Sequence, residues 1–220
     1  MAALARSIAA AGHGVVMPDL WGTGDSEGEF RDASIERWKL NVTHVLDWYA
    51  KHGGQVRSVA ALRFGALLAA SWLDDNLSCA IDDVVCFQPP VSGAAVVAQN
   101  LRLADAAALT SGGARGGGAK ETLVSGGCVN SGGYELTARM ADEISALRMG
   151  TSHGARFHVF EIRGSGEGLT PGTARLYEAL THPGRCGVIH SAPFWMATEI
   201  VRTDLAPAFL PCIGAGSAAA

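Results

Sequence analysis

One arginine, Arg63, lies in a predicted turn where its charged side chain is suited to binding an anion. Val56, Val59 and Ala60 favour a buried strand, and the alanine-rich residues 66–72 favour a helix packed on it. A guanidinium at the start of a helix adds its charge to the free backbone N–H groups there, which suits a carboxylate or a phosphate. The alternative is a structural ion pair with an acid such as Asp25 or Glu167, because a buried arginine needs a partner.

Four other side chains are candidates for an acid, a base or a nucleophile. His190 is the histidine nearest the predicted site and is the candidate acid/base group. Glu167 is a carboxylic acid in a glycine-rich loop at residues 164–168. Cys86 ends an apolar run, where a thiol is normally inert packing. Ser26 is an alternative nucleophile, although loop hydrogen bonding is the usual role of such a serine.

Further residues are predicted to shape a ligand site around this turn. Asp19 and the glycine-rich residues 22–28 would form a pocket rim. Phe194 and Trp195 would either line an apolar pocket or simply pack in the core. The histidines other than His190, including His158, are predicted to have no partner. The predicted ligand-binding residues are Asp19, Ser26, Phe64, Gly65, Phe194 and Trp195.

The composition excludes several classes of protein. A chain of 220 residues with 48% apolar content is long enough for one substantial domain with an insertion. A formal charge of -4 without a basic cluster argues against nucleic-acid binding, and there is no apolar run of about 18 residues to span a membrane. The five cysteines contain no C-x-x-C pair, so neither a metal site nor a disulfide framework is predicted and a cytoplasmic location fits best. No cofactor is predicted, and residues 113–122 lack the G-K-[ST] core of a phosphate-binding P-loop.

The order of elements predicts an α/β fold. Apolar runs predict strands at residues 14–19, 56–60, within 82–90, at 156–163 and at 186–190. Helical patterns occupy residues 1–12, 34–50, 66–73, 91–109, 137–148, 171–180 and 198–209. This alternation favours a mostly parallel sheet with helices on both faces.

The middle of the chain departs from the regular alternation of strands and helices. A flexible glycine run at residues 111–118 and an irregular segment at 120–134 separate its two helices. Residues 91–149 are therefore predicted to form a cap inserted into a core built from residues 1–90 and 150–220.

Four segments together resemble a known superfamily. They are P-D-L-W-G-T-G-D-S-E-G at residues 18–28, L-R-F-G-A-L-L-A at 62–69, Q-P-P-V-S-G at 88–93 and P-F-W at 193–195. The chain resembles the α/β-hydrolases, and more narrowly the second of the two hydrolase families associated with exosortase A systems. That resemblance implies a cytoplasmic α/β-hydrolase-like protein linked to exopolysaccharide and PEP-CTERM sorting, with an ester or thioester substrate.

The chain departs from a working serine hydrolase of that superfamily in several ways. Arg63 stands where the superfamily has its nucleophile, and a protonated guanidinium cannot attack an acyl carbon. His190 precedes the turn that usually holds the base, and Glu167 is the one acid in the loop that should supply the third group. The strands that the superfamily places before the first helix, β1–β3 in its own numbering, are also missing, so we expect a truncated chain that behaves poorly in isolation.

Two functional hypotheses follow from the resemblance and its departures. The first is a hydrolase of a small-molecule ester or thioester, with Arg63, His190 and Glu167 as candidate catalytic residues. The alternative is a catalytically inactive homologue in which Arg63 binds an anionic ligand or a protein partner.

Overall fold

The computed structural model describes residues 1–110, 118–150, 154–195 and 203–213. Within these residues the chain forms two compact units. The first contains Met1–Met17, Val45–Val91 and the described residues from Met149 onward, and the second contains Pro18–His44 and the described residues between Ser92 and Arg148. No helix in these ranges is both long and apolar enough to cross a membrane. Except for Gly118, the glycine run predicted at 111–118 lies outside the described residues.

Most helices and strands of the described chain follow the predicted alternation. In chain order they are α1 Ala2–Ala10, a 3-10 helix Phe30–Asp32, α2 Ile35–Lys51, β1 Ser58–Leu62, α3 Phe64–Asp75, β2 Asp83–Phe87, α4 Gly93–Thr110, α5 Ala119–Val124, β3 Val129–Ser131, β4 Tyr134–Leu136, α6 Ala138–Ala146, β5 Arg156–Arg163, α7 Pro171–Glu178, β6 Pro183–His190 and α8 Ala206–Phe209.

The first unit is built on a four-stranded sheet in the order β1-β2-β5-β6. All three neighbouring pairs are parallel, which confirms the prediction of an α/β fold with a mostly parallel sheet. The register aligns Leu62 at the end of β1 with Phe87 at the end of β2, and Phe87 with Phe160 on β5. The residues that follow these positions therefore lie side by side at the carboxyl edge of the sheet.

Two helices pack against one buried cluster of this sheet. Leu4 and Ile8 of α1 and Phe209 of α8 are buried together with Phe87 and Phe160. The helix predicted at residues 1–12 is present as α1, and Leu4 and Ile8, four residues apart, are its buried side chains. Helix α3 contacts β1 and β2, and buries most of its alanine and leucine side chains.

The strand predicted at residues 14–19 is wrong. These residues form no strand, and Val15, Val16 and Met17 are 39%, 37% and 57% exposed. A strand inside a parallel sheet needs neighbours for its N–H and C=O groups. Among the described strands β1 is at the edge of the sheet and bonds to β2 alone, and residues 14–19 pair neither with its free edge nor with any other described strand.

Three other predicted boundaries need correction. Residues 120–134, predicted to be irregular, contain most of α5 and the antiparallel β3–β4 hairpin up to its second strand. Strand β6 begins at Pro183 rather than at residue 186. The prediction missed its first residues because they lie on an edge strand, are partly exposed and carry no apolar pattern. Of the helix predicted at 198–209, α8 covers Ala206–Phe209, and residues 198–202 lie outside the described chain.

In the second unit, the glycine-rich loop after residue 18 is anchored on α2 by two indoles. The backbone N–H of Trp21 donates to Asn41 Oδ1 at 2.9 Å, and Trp38 Nε1 donates to the carbonyl oxygen of Trp21 at 2.9 Å. The guanidinium carbon of Arg37 lies 4.1 Å from the centre of the Trp21 ring. Gly28 has a φ of 83°, and a Cβ there would lie 2.2 Å from that ring, so only glycine fits.

Candidate functional site

The turn that carries Arg63 has a strained backbone. Arg63 directly follows β1 and precedes α3, with φ 51° and ψ −123°. Its N–H donates to the carbonyl oxygen of Phe87 at 2.8 Å, which continues the β1–β2 ladder by one residue, and its own carbonyl accepts from Ala66 N at 2.9 Å. A left-handed φ costs a non-glycine residue about 1–3 kcal/mol. The ladder and the first turn of α3 hold Arg63 in this conformation.

The guanidinium of Arg63 lies against an aromatic ring. Its central carbon is 5.1 Å from the centre of the Trp195 ring, within the range of a cation–π contact. Trp195 is partly buried and packs, together with Phe194, on the cluster that contains Phe87 and Phe209. Burial lowers the pKa of Arg63, although arginine remains protonated in proteins at neutral pH. The predicted site residues Arg63 and Trp195 are therefore brought together.

Gln88 repeats the Arg63 geometry on the neighbouring strand, and sequence analysis assigned it no role. It directly follows β2 and has a φ of 49°. Its N–H donates to Phe160 O at 2.7 Å, and its side-chain Oε1 accepts from Ile162 N at 2.7 Å. Gln88 is thus fixed to β5 at the carboxyl edge. The motif Q-P-P was a visible signal, because the two prolines end the strand immediately after it.

The other predicted ligand residues are divided between the two units. Phe64 and Gly65 are half-buried in the first turn of α3, and a Cβ at Gly65 would meet nothing within 4 Å, so there is open space beside this turn. Asp19 and Ser26 belong to the loop of the second unit. Asp19 is exposed and its Oδ2 accepts from Asp25 N at 3.1 Å, which orders the loop. The N–H of Ser26 donates to the carbonyl oxygen of Thr23 at 3.0 Å.

The structure does not assemble an acid and a base from His190 and Glu167. His190 is the last residue of β6 and is exposed, and Glu167 is exposed in the loop after β5. In the described ranges neither side chain makes a hydrogen bond or an ion pair. A Ser-His-acid type of relay needs its members within hydrogen-bond reach of one another.

A different acid, Glu161, is buried two residues before the end of β5. It is 2% exposed, and its carboxylate accepts from Thr170 N at 2.9 Å and from the hydroxyls of Thr170 and Thr173 at 2.5 Å each. Burial by itself raises the pKa of Glu161. The hydrogen bonds from Thr170 and Thr173 and the charge of Arg163 together lower the pKa by more than burial raises it, so the net shift is downward. Glu161 therefore caps the start of α7 as a carboxylate. Its sequence signal was an acid between apolar neighbours, in V-F-E-I at residues 159–162.

Cys86 is fully buried in the middle of the sheet. Burial raises the pKa of its thiol to about 12, so the thiol is protonated at neutral pH and is a poor nucleophile. The reading of Cys86 as inert packing agrees with its position.

The prediction that His158 has no partner is wrong. On β5, its Nε2 lies 3.0 Å from Asp83 Oδ1 on β2, and its Nδ1 accepts from Arg185 N on β6 at 2.8 Å. Arg156 completes the cluster, with Nε 2.9 Å from Asp83 Oδ1 and Nη2 3.1 Å from Oδ2. The cluster lies at the amino ends of β2 and β5, so it joins three strands away from the Arg63 turn. No sequence spacing could pair residues so far apart in the chain.

Among the residues that the structure describes, no group of three or more His, Cys, Asp or Glu side chains comes together as a metal site. No family model matches the chain, and no curated protein matches it either.

Proposed function

We propose that the chain is a catalytically inactive member of the α/β-hydrolase superfamily that binds an anionic small molecule through Arg63. The observation that carries this proposal is the position of Arg63, in the strained turn between β1 and the 12-residue helix α3. The first backbone N–H groups of a helix and its dipole both favour negative charge. An arginine at that point adds a fork of N–H donors that matches a carboxylate or a phosphate.

The surroundings of Arg63 support an approach of the ligand from one side. Trp195 lies over one face of the guanidinium, and a guanidinium presents its N–H donors in its own plane, where a planar carboxylate can meet them. The open space beside Gly65 lies in the same turn. A ligand with a flat carboxylate and a small body fits these two features.

Binding is favoured over hydrolysis by the state of the other candidate groups. Arg63 cannot act as a nucleophile, and the thiol of Cys86 is held protonated in the sheet. His190 and Glu167 are exposed and are not hydrogen-bonded to each other. The buried acid Glu161 has its oxygens occupied by Thr170 and Thr173.

Isothermal titration with acetate and with inorganic phosphate tests the proposal. We expect one of these anions to bind the unmodified protein, and Arg63→Gln to weaken that binding at least about tenfold, since it removes a charge-assisted bidentate contact. Arg63→Lys, which keeps the charge but loses the fork, should give an intermediate affinity. Arg175→Gln, at an exposed position on α7, is the matched control and should bind as the unmodified protein does. Equal binding by Arg63→Gln, or no binding of either anion, would contradict the proposal.

A second candidate function is hydrolysis of an ester or thioester linked to exopolysaccharide or PEP-CTERM sorting systems, as the resemblance implies. One observation favours it: the left-handed backbone of residue 63 between a strand and a helix is the kind of strained turn that displays the nucleophile in the G-x-S-x-G elbow. Hydrolysis of p-nitrophenyl acetate separates the two candidates. Turnover that both Arg63→Ala and His190→Ala abolish supports the hydrolase, whereas anion binding without turnover supports the binding protein.

A further inference from the structure

We infer that the amino-terminal part of β6 is held by a bulge that opens when His158 takes up a second proton. Strand β6 pairs with β5 at Phe157 and Pro183 and again at Val159 and Cys186, with a shift of register between them. Two residues of β6 therefore stand opposite the single residue His158, which is the arrangement of a β-bulge. This inference concerns the opposite end of the sheet from Arg63 and is independent of the proposed function.

Two hydrogen bonds with side chains hold the bulged residues. The hydroxyl of Tyr177 donates to the carbonyl oxygen of Gly184 at 2.5 Å. The N–H of Arg185 donates to Nδ1 of His158 at 2.8 Å. A Cβ at Gly184 would lie 2.5 Å from that same Nδ1, so the bulge backbone is packed directly against the imidazole.

These contacts define the protonation state of His158. A backbone N–H can only donate, so the Arg185 bond requires an Nδ1 without a hydrogen. The hydrogen of the neutral ring is then on Nε2, which donates to Asp83 Oδ1 at 3.0 Å. The tautomer is assigned here from the two partners, since both ring nitrogens are occupied.

The carboxylate that contacts His158, Asp83, is already paired with a cation. Arg156 bonds both oxygens of Asp83, at 2.9 Å and 3.1 Å, so Asp83 and Arg156 together are neutral. Burial raises the pKa of the Cys212 thiol, which interacts electrostatically with this cluster and stays uncharged. The titratable groups around His158 and the bulge are Asp83 on β2, Asp82 just before it, Arg156 on β5, Arg185 and Cys186 on β6, Tyr177 on α7 and Cys212 after α8. A proton on His158 would therefore add a net positive charge at a site where Asp83 and His158 are 2% and 4% exposed.

Protonation of His158 and the Arg185 bond exclude each other. A protonated Nδ1 becomes a donor that points at the N–H donor of Arg185, and two donors cannot share one hydrogen bond. The ring has little room to turn away, because the backbone of Gly184 packs against it. The bulge is the part that must move, which frees the first residues of β6 from β5 while the pairing beyond Cys186 persists.

Nuclear magnetic resonance on the full chain tests this inference directly. Long-range correlations between ring protons and nitrogens of ¹⁵N-labelled histidine should show an unprotonated Nδ1 and a protonated Nε2 for His158 at pH 8. As the pH is lowered, the protection of the Arg185 amide against hydrogen exchange should fall roughly tenfold in step with protonation of Nδ1, as expected for one lost hydrogen bond. The amide of Val159, in the centre of β5, should keep its protection. A protonated Nδ1 at pH 8, an Arg185 amide that stays protected with a doubly protonated ring, or a ring that remains neutral until the whole chain unfolds would each overturn the inference.

Two variants separate the role of the proton from that of the bulge. His158→Gln removes the titratable ring and should abolish the acid-dependent loss of Arg185 protection. Tyr177→Phe removes the other support of the bulge and should lower Arg185 protection at every pH, with the acid-dependent step intact. An acid step that survives in His158→Gln, or is lost in Tyr177→Phe, would contradict the inference. If His158→Gln fails to fold, the spectra of the unmodified protein still decide the question.

Discussion

The guanidinium carbon of Arg63 lies 5.1 Å from the centre of the Trp195 ring. Trp195 also packs on the buried cluster beneath it, and its ring meets that of Phe194 edge-on with centres 5.1 Å apart. The indole therefore connects the cation at the carboxyl edge of the sheet with the core. A cation–π contact of this kind contributes about 0.5–2 kcal/mol, depending on how well it is shielded from water.

Truncation of Trp195 is expected to destabilise the fold and to loosen Arg63. Trp195→Ala should lower the free energy of unfolding by about 2–3 kcal/mol, because the ring is only partly buried, and Trp195→Phe by less, because a ring is retained. Urea denaturation measures both. In the double variant with Arg63→Ala, the losses should fall short of additivity by about 0.5–1 kcal/mol. Strict additivity would show that the two side chains do not stabilise each other.

Glycine at position 63 is expected to give a more stable protein than alanine. Both Arg63→Gly and Arg63→Ala remove the guanidinium, so their difference isolates the backbone strain at φ 51°. Glycine has no Cβ and tolerates this conformation, so Arg63→Gly should be about 1 kcal/mol more stable than Arg63→Ala. Thermal and urea unfolding provide the comparison. Equal stability, or a more stable alanine variant, would mean that the turn relaxes to a negative φ when the arginine is absent.

The stability contributed by Glu161 is expected to disappear in acid. Its folded pKa lies below the ordinary value, so its contribution is complete above the pH at which the unfolded chain takes up the proton and is lost as the pH falls through the folded pKa. Glu161→Gln should be about 1–2 kcal/mol less stable than the unmodified protein at pH 7, with a gap that narrows below about pH 4. Glu167→Gln is the control, since that side chain is exposed, and it should change stability little at any pH. A gap of constant size from pH 7 to pH 3 would argue against a lowered pKa.

Asp83→Asn should lower the free energy of unfolding far more than Asp82→Asn does. Asp83 is buried and accepts from Arg156 and His158, whereas Asp82 is an exposed residue whose side chain pairs with Arg57 at the surface. Asp83→Asn is expected to lower the free energy of unfolding by about 2 kcal/mol through the loss of charge-assisted hydrogen bonds. Asp82→Asn should cost less than about 1 kcal/mol, as for other surface ion pairs. Chemical denaturation of both variants checks the difference, and similar costs would contradict the buried position of the cluster.

Thiol labelling should separate Cys86 from Cys186. The pKa of Cys86 is raised to about 12 by burial, whereas Cys186 is exposed on β6. Alkylation with iodoacetamide at pH 8, followed by mass spectrometry of the digested chain, should modify Cys186 first and Cys86 only at the rate of unfolding. In Cys186→Ser the early modification should disappear. If Cys86 is alkylated as fast as Cys186, its thiol is accessible and reactive, which would contradict its role as inert packing.

Local patterns predicted much of the first unit. The alanine- and leucine-rich run after Gly65 became α3, and the apolar runs before residues 63 and 88 became β1 and β2. Parallel strands and their helices leave a strong signal because each is a continuous or periodic apolar segment. The turn at Arg63 was predicted for the same reason, because the strand pattern ends there and the helix pattern begins.

The amino-acid sequence by itself determined the α/β class of the fold, the order of the four parallel strands along the chain and the place of Arg63 between a strand and a helix. Only the tertiary structure decided that residues 14–19 find no strand to pair with, that Glu161 is the acid held by Thr170 and Thr173, and that His158 joins Asp83 to β6. The physical reason is distance along the chain. Backbone propensity and apolar periodicity act over a few neighbouring residues, whereas a hydrogen bond between Asp83 and His158 exists only after three strands have come into register.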